Sequence, residues 1–252
     1  MKNLFLFLFL LVVFTSKAQD NRVSGLNSRQ FTKYWKVESE SPDYKVTFQG
    51  DTAEIVSPKG LTLWRKEKMS GKVTIEYDAC VVVESDGDRL SDLNCFWMAS
   101  DPQYPDNLWK REKWRSGIFL NCYSLQLYYL GYGGNHNSTT RFRRYDGDES
   151  GITNPKARPA ILKEYTDAGH LLKPNHWYHI KITNENNRVS YYIDGERLWT
   201  SGMLNRYGKA GLVFVPPCRV LVLQISVMNA HRKRRLLFLC NGLVRLPGRI
   251  RP

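Results

Sequence analysis

The chain has no CxxC pair, no HExxH and no compact run of Asp and Asn residues, so nothing in it spells out a zinc, redox or calcium site, and no metal or cofactor is expected. Its five cysteines, Cys80, Cys95, Cys122, Cys218 and Cys240, are odd in number, which leaves at least one unpaired. Cys80, Cys95 and Cys122 lie inside apolar strand-like runs, where a small buried thiol is the commoner role and a disulfide framework is not expected. No long stretch sustains a helical period, which argues against a helical bundle or an α/β fold. No apolar run is long enough to span a bilayer. From Ser201 to the end there is no Asp or Glu, while ten of the 37 Lys and Arg residues fall there. The net charge of +13 therefore belongs to the tail, and the first 200 residues carry only +3. That distribution gives no reason to expect a nucleic-acid partner.

The N-terminus reads as an address. Lys2 precedes an apolar run from Leu4 to Phe14, and Ser16-Lys17-Ala18 offers a small-residue cleavage site. Residues 1–18 are expected to be a signal peptide, cleaved near Ala18, sending a protein with no membrane span to the periplasm or outside the cell. About 230 residues then remain, enough for one full sandwich core and short for two domains.

What is present is β pattern. Short runs rich in Val, Ile, Tyr, Phe and Thr, separated by Gly, Asn, Asp and Pro, predict strands at 35–37, 44–49, 52–57, 61–65, 71–83, 95–99, 117–122, 124–131, 139–144, 177–184 and 188–193. Residues 104–115 are expected to be at most a short helix or turn. The expected fold is all-β, a two-sheet antiparallel β-sandwich. In residues 176–198 two alternating strands flank Asn186-Asn187, and Asp194-Gly195 makes the tight turn that follows.

That hairpin resembles the concanavalin A-like lectin/glucanase superfamily. A nearer resemblance is carried by Gly60-Leu61-Thr62-Leu63-Trp64, by residues 91–99 (Ser91 to Ala99) and by residues 129–145 (Tyr129 to Tyr145). These look like a family of secreted Bacteroidota domains, domain of unknown function 6250. The resemblance implies a jelly-roll sandwich over residues 19–211 and a polysaccharide or oligosaccharide as partner, with a monomer expected. Residues 212–252 depart from the pattern, since Pro216 and Pro217 interrupt what should be a closing strand and a basic run, His231 to Arg235, follows. They are read as an atypical basic tail, either the product of a shifted reading frame or degraded gene end, or a genuine basic extension that is merely solvated.

The hydrolases of the superfamily use Glu-x-Asp-x-x-Glu on one strand, because two carboxylates must face each other across the scissile bond. Here Glu84-Ser85-Asp86-Gly87-Asp88 ends in Arg89, and Glu76-Tyr77-Asp78 is not followed by the second Glu. The densest polar cluster lies instead between Asn121 and Asp146. A strand period of two groups Gln126 with Tyr128, and Arg141 and Arg143 with Tyr145, around a glycine-rich loop carrying Asn135 and His136. If both strands line one trough, the set suits β-elimination on an acidic glycan. His136 or Tyr128 would be the base and Tyr145 the acid, while Gln126, Asn135, Arg141 and Arg143 would hold the carboxylate. Tyr104 and Trp109, in a polar loop, are candidates for stacking on sugar rings. A polysaccharide lyase is therefore favoured over a glycoside hydrolase. A non-catalytic carbohydrate-binding module and an inactive remnant with a defective C-terminus are the rival readings.

Overall fold

The computed structural model describes residues 28–202 apart from 50, 51, 67, 70–72, 87 and 186, and beyond them 218–219, 222–225 and 234–239. The expected signal segment, residues 1–18, lies outside the described residues. After a short helix at Ser28–Tyr34 come β1 (Trp35–Ser39), β2 (Lys45–Gln49), β3 (Thr52–Ser57), β4 (Leu61–Arg65), β5 (Lys68–Met69), β6 (Val73–Val82) and β7 (Leu93–Ser100). Then follow β8 (Gln126–Gly133), β9 (Thr139–Asp146), β10 (Ile161–Tyr165), β11 (Trp177–Glu185), β12 (Arg188–Ile193), β13 (Glu196–Gly202), β14 (Cys218–Arg219), β15 (Val222–Ile225) and β16 (Arg234–Leu239).

These strands form two antiparallel sheets. The first runs β1-β4-β15-β7-β8-β9-β10, with β5 and β14 beside it, and the second runs β13-β12-β11-β6-β16-β3-β2. The expected two-sheet sandwich is what forms. In β11 the alternation of Tyr178, Ile180 and Ile182 buried with Trp177 and His179 exposed is the period-two pattern of a half-buried strand. Between β12 and β13, Asp194 and Gly195 both take positive φ, 51° and 84°, as a two-residue hairpin of the favoured hand requires.

The tail strands are not peripheral. β15 pairs with both β4 and β7, and β16 with both β3 and β6, so each occupies an internal position of its sheet. The boundary expected at residue 211 therefore coincides with no sheet edge.

Several elements differ from expectation, the short β5 and the tail strands β14, β15 and β16 among them. Residues 117–122 do not extend into a strand: Phe119–Ser124 is a 3-10 turn, and local bonds such as Leu125 N–H to the Cys122 carbonyl (3.0 Å) take the place of a ladder. The strands β10 and β13 were not expected. β10 is an edge strand whose Ile161, Leu162, Lys163 and Glu164 are all exposed, so it carries no alternation to read.

The first sheet is apolar on both faces. Its inner face contributes Trp97, Tyr128, Leu130 and Phe142 to the core shared with Ile180, Tyr191 and Trp199 of the second sheet. Its outer face carries Trp64, Phe96, Leu127, Tyr129 and Tyr145 under Leu108, Cys122, Tyr123 and Leu125 of the 101–125 segment. Every residue of β4 is accordingly buried. Cys80, Cys95 and Cys122 are free and buried, as expected, and burial pushes the Cys95 thiol up to about 12.

Tyr77, Tyr129, Tyr145 and Tyr191 are buried, and loss of water pushes each phenol well above its ordinary value of 10.0. In the unfolded chain these groups ionise near their ordinary pKa of about 10. Their contribution to stability is complete below that pH and is lost as pH rises above it. We expect one cooperative alkaline transition in which phenolate absorbance and loss of β circular dichroism coincide. Phenolate appearing from all four rings while the dichroism stays intact would contradict it.

Candidate functional site

The 101–125 segment is latched to β1 by a buried ion pair. Arg115, fully buried, donates from Nη2 to Glu38 Oε1 (2.6 Å) and from Nε to Glu38 Oε2 (3.2 Å), and also to the Leu108 carbonyl (2.8 Å). Its guanidinium lies 5.6 Å from the centre of the Trp64 ring. Burial pushes the Glu38 carboxyl up, and Arg115 opposes that shift. Arg111 grips Asp101 through Nε (2.8 Å) and Nη2 (2.9 Å), and reaches Glu149 with Nη1. This cover leaves part of the sheet open.

The open part is a cavity of about 210 Å³. Sheet register decides which side chains reach it, because directly opposed residues on antiparallel neighbours share a face. Asn94 of β7 lies opposite Gly131 of β8, which lies opposite Arg141 of β9, which lies opposite Glu164 of β10. The next row is Phe96, Tyr129 and Arg143, and Leu127 lies opposite Tyr145. A Cβ at residue 131 would stand 2.3 Å from the Tyr129 hydroxyl, so glycine there makes room for that ring to lean across the sheet.

Of the residues expected in one trough, Asn135, His136, Arg141, Arg143 and Tyr145 all border this cavity. Tyr128 does not. Its ring faces the sandwich interior, stacked on Trp97 (centroids 5.6 Å apart) and tilted against Trp199 (5.7 Å). Alternation placed Tyr128 correctly with Gln126, but register sets that face opposite Arg144 and Asp146, away from Arg141 and Arg143. Gln126 likewise stays outside, its Nε2 donating to the Asp146 carbonyl (3.3 Å). Tyr104 and Trp109 belong to the covering segment and do not border the cavity. Tyr104 is exposed beside Arg111 (5.9 Å), and Trp109 packs edge-on against Trp64 (6.5 Å).

Tyr129 and Asn94 were missed. A period of two sets Leu125, Leu127 and Tyr129 on the face opposite Gln126 and Tyr128, and that face packs in the small outer core beneath the covering segment. A chain apolar on both faces of a strand carries no alternation to say which side faces a groove.

The loop after β8 is wound against the ordinary hand. Gly133, Asn135, His136 and Asn137 all have positive φ, between 52° and 64°. Consecutive left-handed residues other than glycine are costly, and such strain gathers at functional sites. Asn137 holds the conformation in place, donating to the Leu172 carbonyl (2.9 Å) and accepting from the Leu172 N–H (2.8 Å). His136 is thereby presented, exposed, at the cavity wall.

The polar groups are unevenly satisfied. Arg141 donates to Glu164 (2.7 Å) and Arg143 to the Pro159 carbonyl. Tyr145 is 1% exposed and its hydroxyl has no hydrogen-bond partner among the described residues. Burial keeps that phenol protonated, with Arg143 pulling weakly the other way. Four arginines and one aspartate border the cavity, so its potential is positive. Among the described residues there is no cluster of three or more His, Cys, Asp or Glu that would suit a metal ion. No helix among them is long and apolar enough to cross a membrane.

Solved structures share this architecture. A Bacillus subtilis protein of unknown function with a galectin-like fold matches with a TM-score of 0.61 at 12% identity, over 92% of this chain and 99% of that one. The potassium-bound carbohydrate recognition domain of Emp46p matches at 0.54 and 13% identity, over 89% and 93% of the two chains. The exoplasmic/lumenal domain of VIP36, bound to Ca2+ and Man3GlcNAc, matches at 0.51 and 9% identity, over 88% of each. At such identities the likeness shows the fold alone, a two-sheet β-sandwich like that of the galectin-like protein. No curated protein sequence matches the chain. The model of one domain family, domain of unknown function DUF6250, matches residues 55–213, well over half of the 252, and the chain belongs to that family.

Proposed function

We propose that this is a secreted or periplasmic polysaccharide lyase that cleaves an acidic glycan by β-elimination. The observation that carries the reading is the meeting of His136, Tyr145, Arg141, Arg143 and Asn135 on one positively charged cavity. Arginine and amide donors there suit a uronate carboxylate, whose neutralisation makes the neighbouring ring proton acidic. His136, on the exposed left-handed loop, takes that proton. The C–H electron pair becomes the new C=C bond, the C–O bond to the leaving sugar breaks, and the leaving oxygen takes the proton of Tyr145. A buried phenol held neutral suits the acid role and is ill suited to be the base.

The second reading is a carbohydrate-binding module without catalysis. It is favoured by Arg141 and Arg143, whose guanidinium groups are already engaged by Glu164 and the Pro159 carbonyl and so are not wholly available to a reacting carboxylate. Incubating the full chain with pectic, algal and host-type uronate polysaccharides separates the two. Ultraviolet absorbance of an unsaturated uronate product, lost in His136→Ala, is the expected result. Binding without product would sink the lyase and leave the module.

A further inference from the structure

Among the cavity's polar groups that the elimination chemistry does not use is an asparagine. Asn94, on β7, is 2% exposed. Its Oδ1 accepts a hydrogen bond from the Tyr129 hydroxyl (3.1 Å), while its Nδ2 has no partner among the described residues. Buried polar atoms are nearly always paired, and an unpaired amide N–H facing a cavity is a place where a ligand atom can complete the bonding. Asn94 borders the cavity, and its neighbour across the sheet is Gly131, whose lack of a side chain leaves room for the Tyr129 ring that bonds Oδ1.

We propose that Asn94 is a substrate-binding residue whose Nδ2 donates to a carboxylate oxygen of an acidic glycan, with Tyr129 as its positioning residue. The inference rests on the reading of this cavity as a glycan site. Three features select a carboxylate. The arginine-rich wall draws a negative group in. The Tyr129 hydroxyl engages the carbonyl end of the amide, which leaves the donor end, Nδ2, as the one without a partner among the described residues. An amide N–H also donates at every working pH, because it does not titrate. The same register places Gln224 of β15 opposite Asn94, so the tail strand adjoins this floor.

The test uses the full chain and titration calorimetry with oligogalacturonate, alginate oligosaccharides and a neutral cello-oligosaccharide. Asn94→Asp keeps the shape and the Tyr129 bond but removes the N–H. Asn94→Leu removes the N–H without adding charge, and Asn94→Leu/Tyr129→Phe replaces both partners with apolar groups, a change the fold tolerates best. Each is expected to weaken the acidic oligosaccharide that the parent binds by about 10- to 100-fold, the loss for a hydrogen bond to a charged group, with any neutral binding unchanged. Tyr129→Phe alone weakens it too, but has no further effect in the Asn94→Leu background, which a merely structural tyrosine would not obey. Binding within twofold of the parent in any folded Asn94 variant overturns the assignment and leaves the glycan reading standing. A parent that binds none of the acidic probes overturns both.

Discussion

Arg115→Met is expected to lower the thermal midpoint by roughly 6–20 °C. The methionine keeps most of the aliphatic stem but leaves the Glu38 carboxylate, 4% exposed, buried without its cation. Breaking one side of a buried ion pair costs about 3–5 kcal/mol, and each kcal/mol moves the midpoint of a domain of this size by about 2–4 °C. The pH dependence has a definite sign. Burial already raises the Glu38 carboxyl above 4.5, and removing Arg115, the largest opposing influence, raises it further. A group raised in the folded state contributes stability that is complete below its unfolded pKa and lost as pH climbs through the folded one. The deficit of the variant is therefore largest near neutrality and shrinks as pH falls toward about 4.5, where Glu38 takes up a proton. Glu38→Leu/Arg115→Met, which removes both charges, recovers most of the midpoint. A single variant that melts with the parent at pH 7 would show that the latch contributes nothing. The latch matters to the site because Phe119, Leu120 and Tyr123 of the covering segment form one wall of the cavity.

Tyr145→Phe is expected to reduce elimination by about 10²- to 10⁴-fold, the usual yield of a positioned proton donor. Stability stays close to that of the parent, because the lost hydroxyl has no partner to abandon. The ring keeps its edge-on contacts with Phe96 (6.0 Å) and Tyr123 (5.0 Å). Tyr128→Phe is the control: its ring packs against Trp97 and Trp199 inside the sandwich, so turnover is unchanged. Steady-state rates on the best uronate substrate decide it. Turnover of Tyr145→Phe within a few-fold of the parent would remove Tyr145 from the role of acid.

Much of the architecture was legible because strand signals are local. Tyr178, Ile180 and Ile182 alternate with exposed neighbours, and Asp194-Gly195 names its own turn, so β11, β12 and the turn into β13 follow from residues a few positions apart. Residues 117–122 misled for the same reason: Ile118 and Phe119 read as strand, yet Ile118 is exposed and Phe119 packs on the outer face of the first sheet instead of joining it. Exposed β10 offered no pattern at all.

The candidate site was half legible. Arg141, Arg143 and Tyr145 share a face by counting twos along one strand, and His136 and Asn135 follow from the glycines beside them. Which tyrosine of β8 joins them could not be counted, because it depends on which residue of β8 lies opposite Arg143. By itself the chain's order of residues determined most strands of the sandwich, the Asp194-Gly195 turn and the sides on which neighbours within a strand fall, since those depend on backbone geometry over a few residues. Only the tertiary structure decided that Tyr129 and Asn94 meet Arg141 at one floor, that Arg115 latches the cover, and that residues 222–225 and 234–239 run through the middle of both sheets. Register and layering are contacts between segments up to 187 positions apart, as between Thr52 and Leu239, and no local period encodes them.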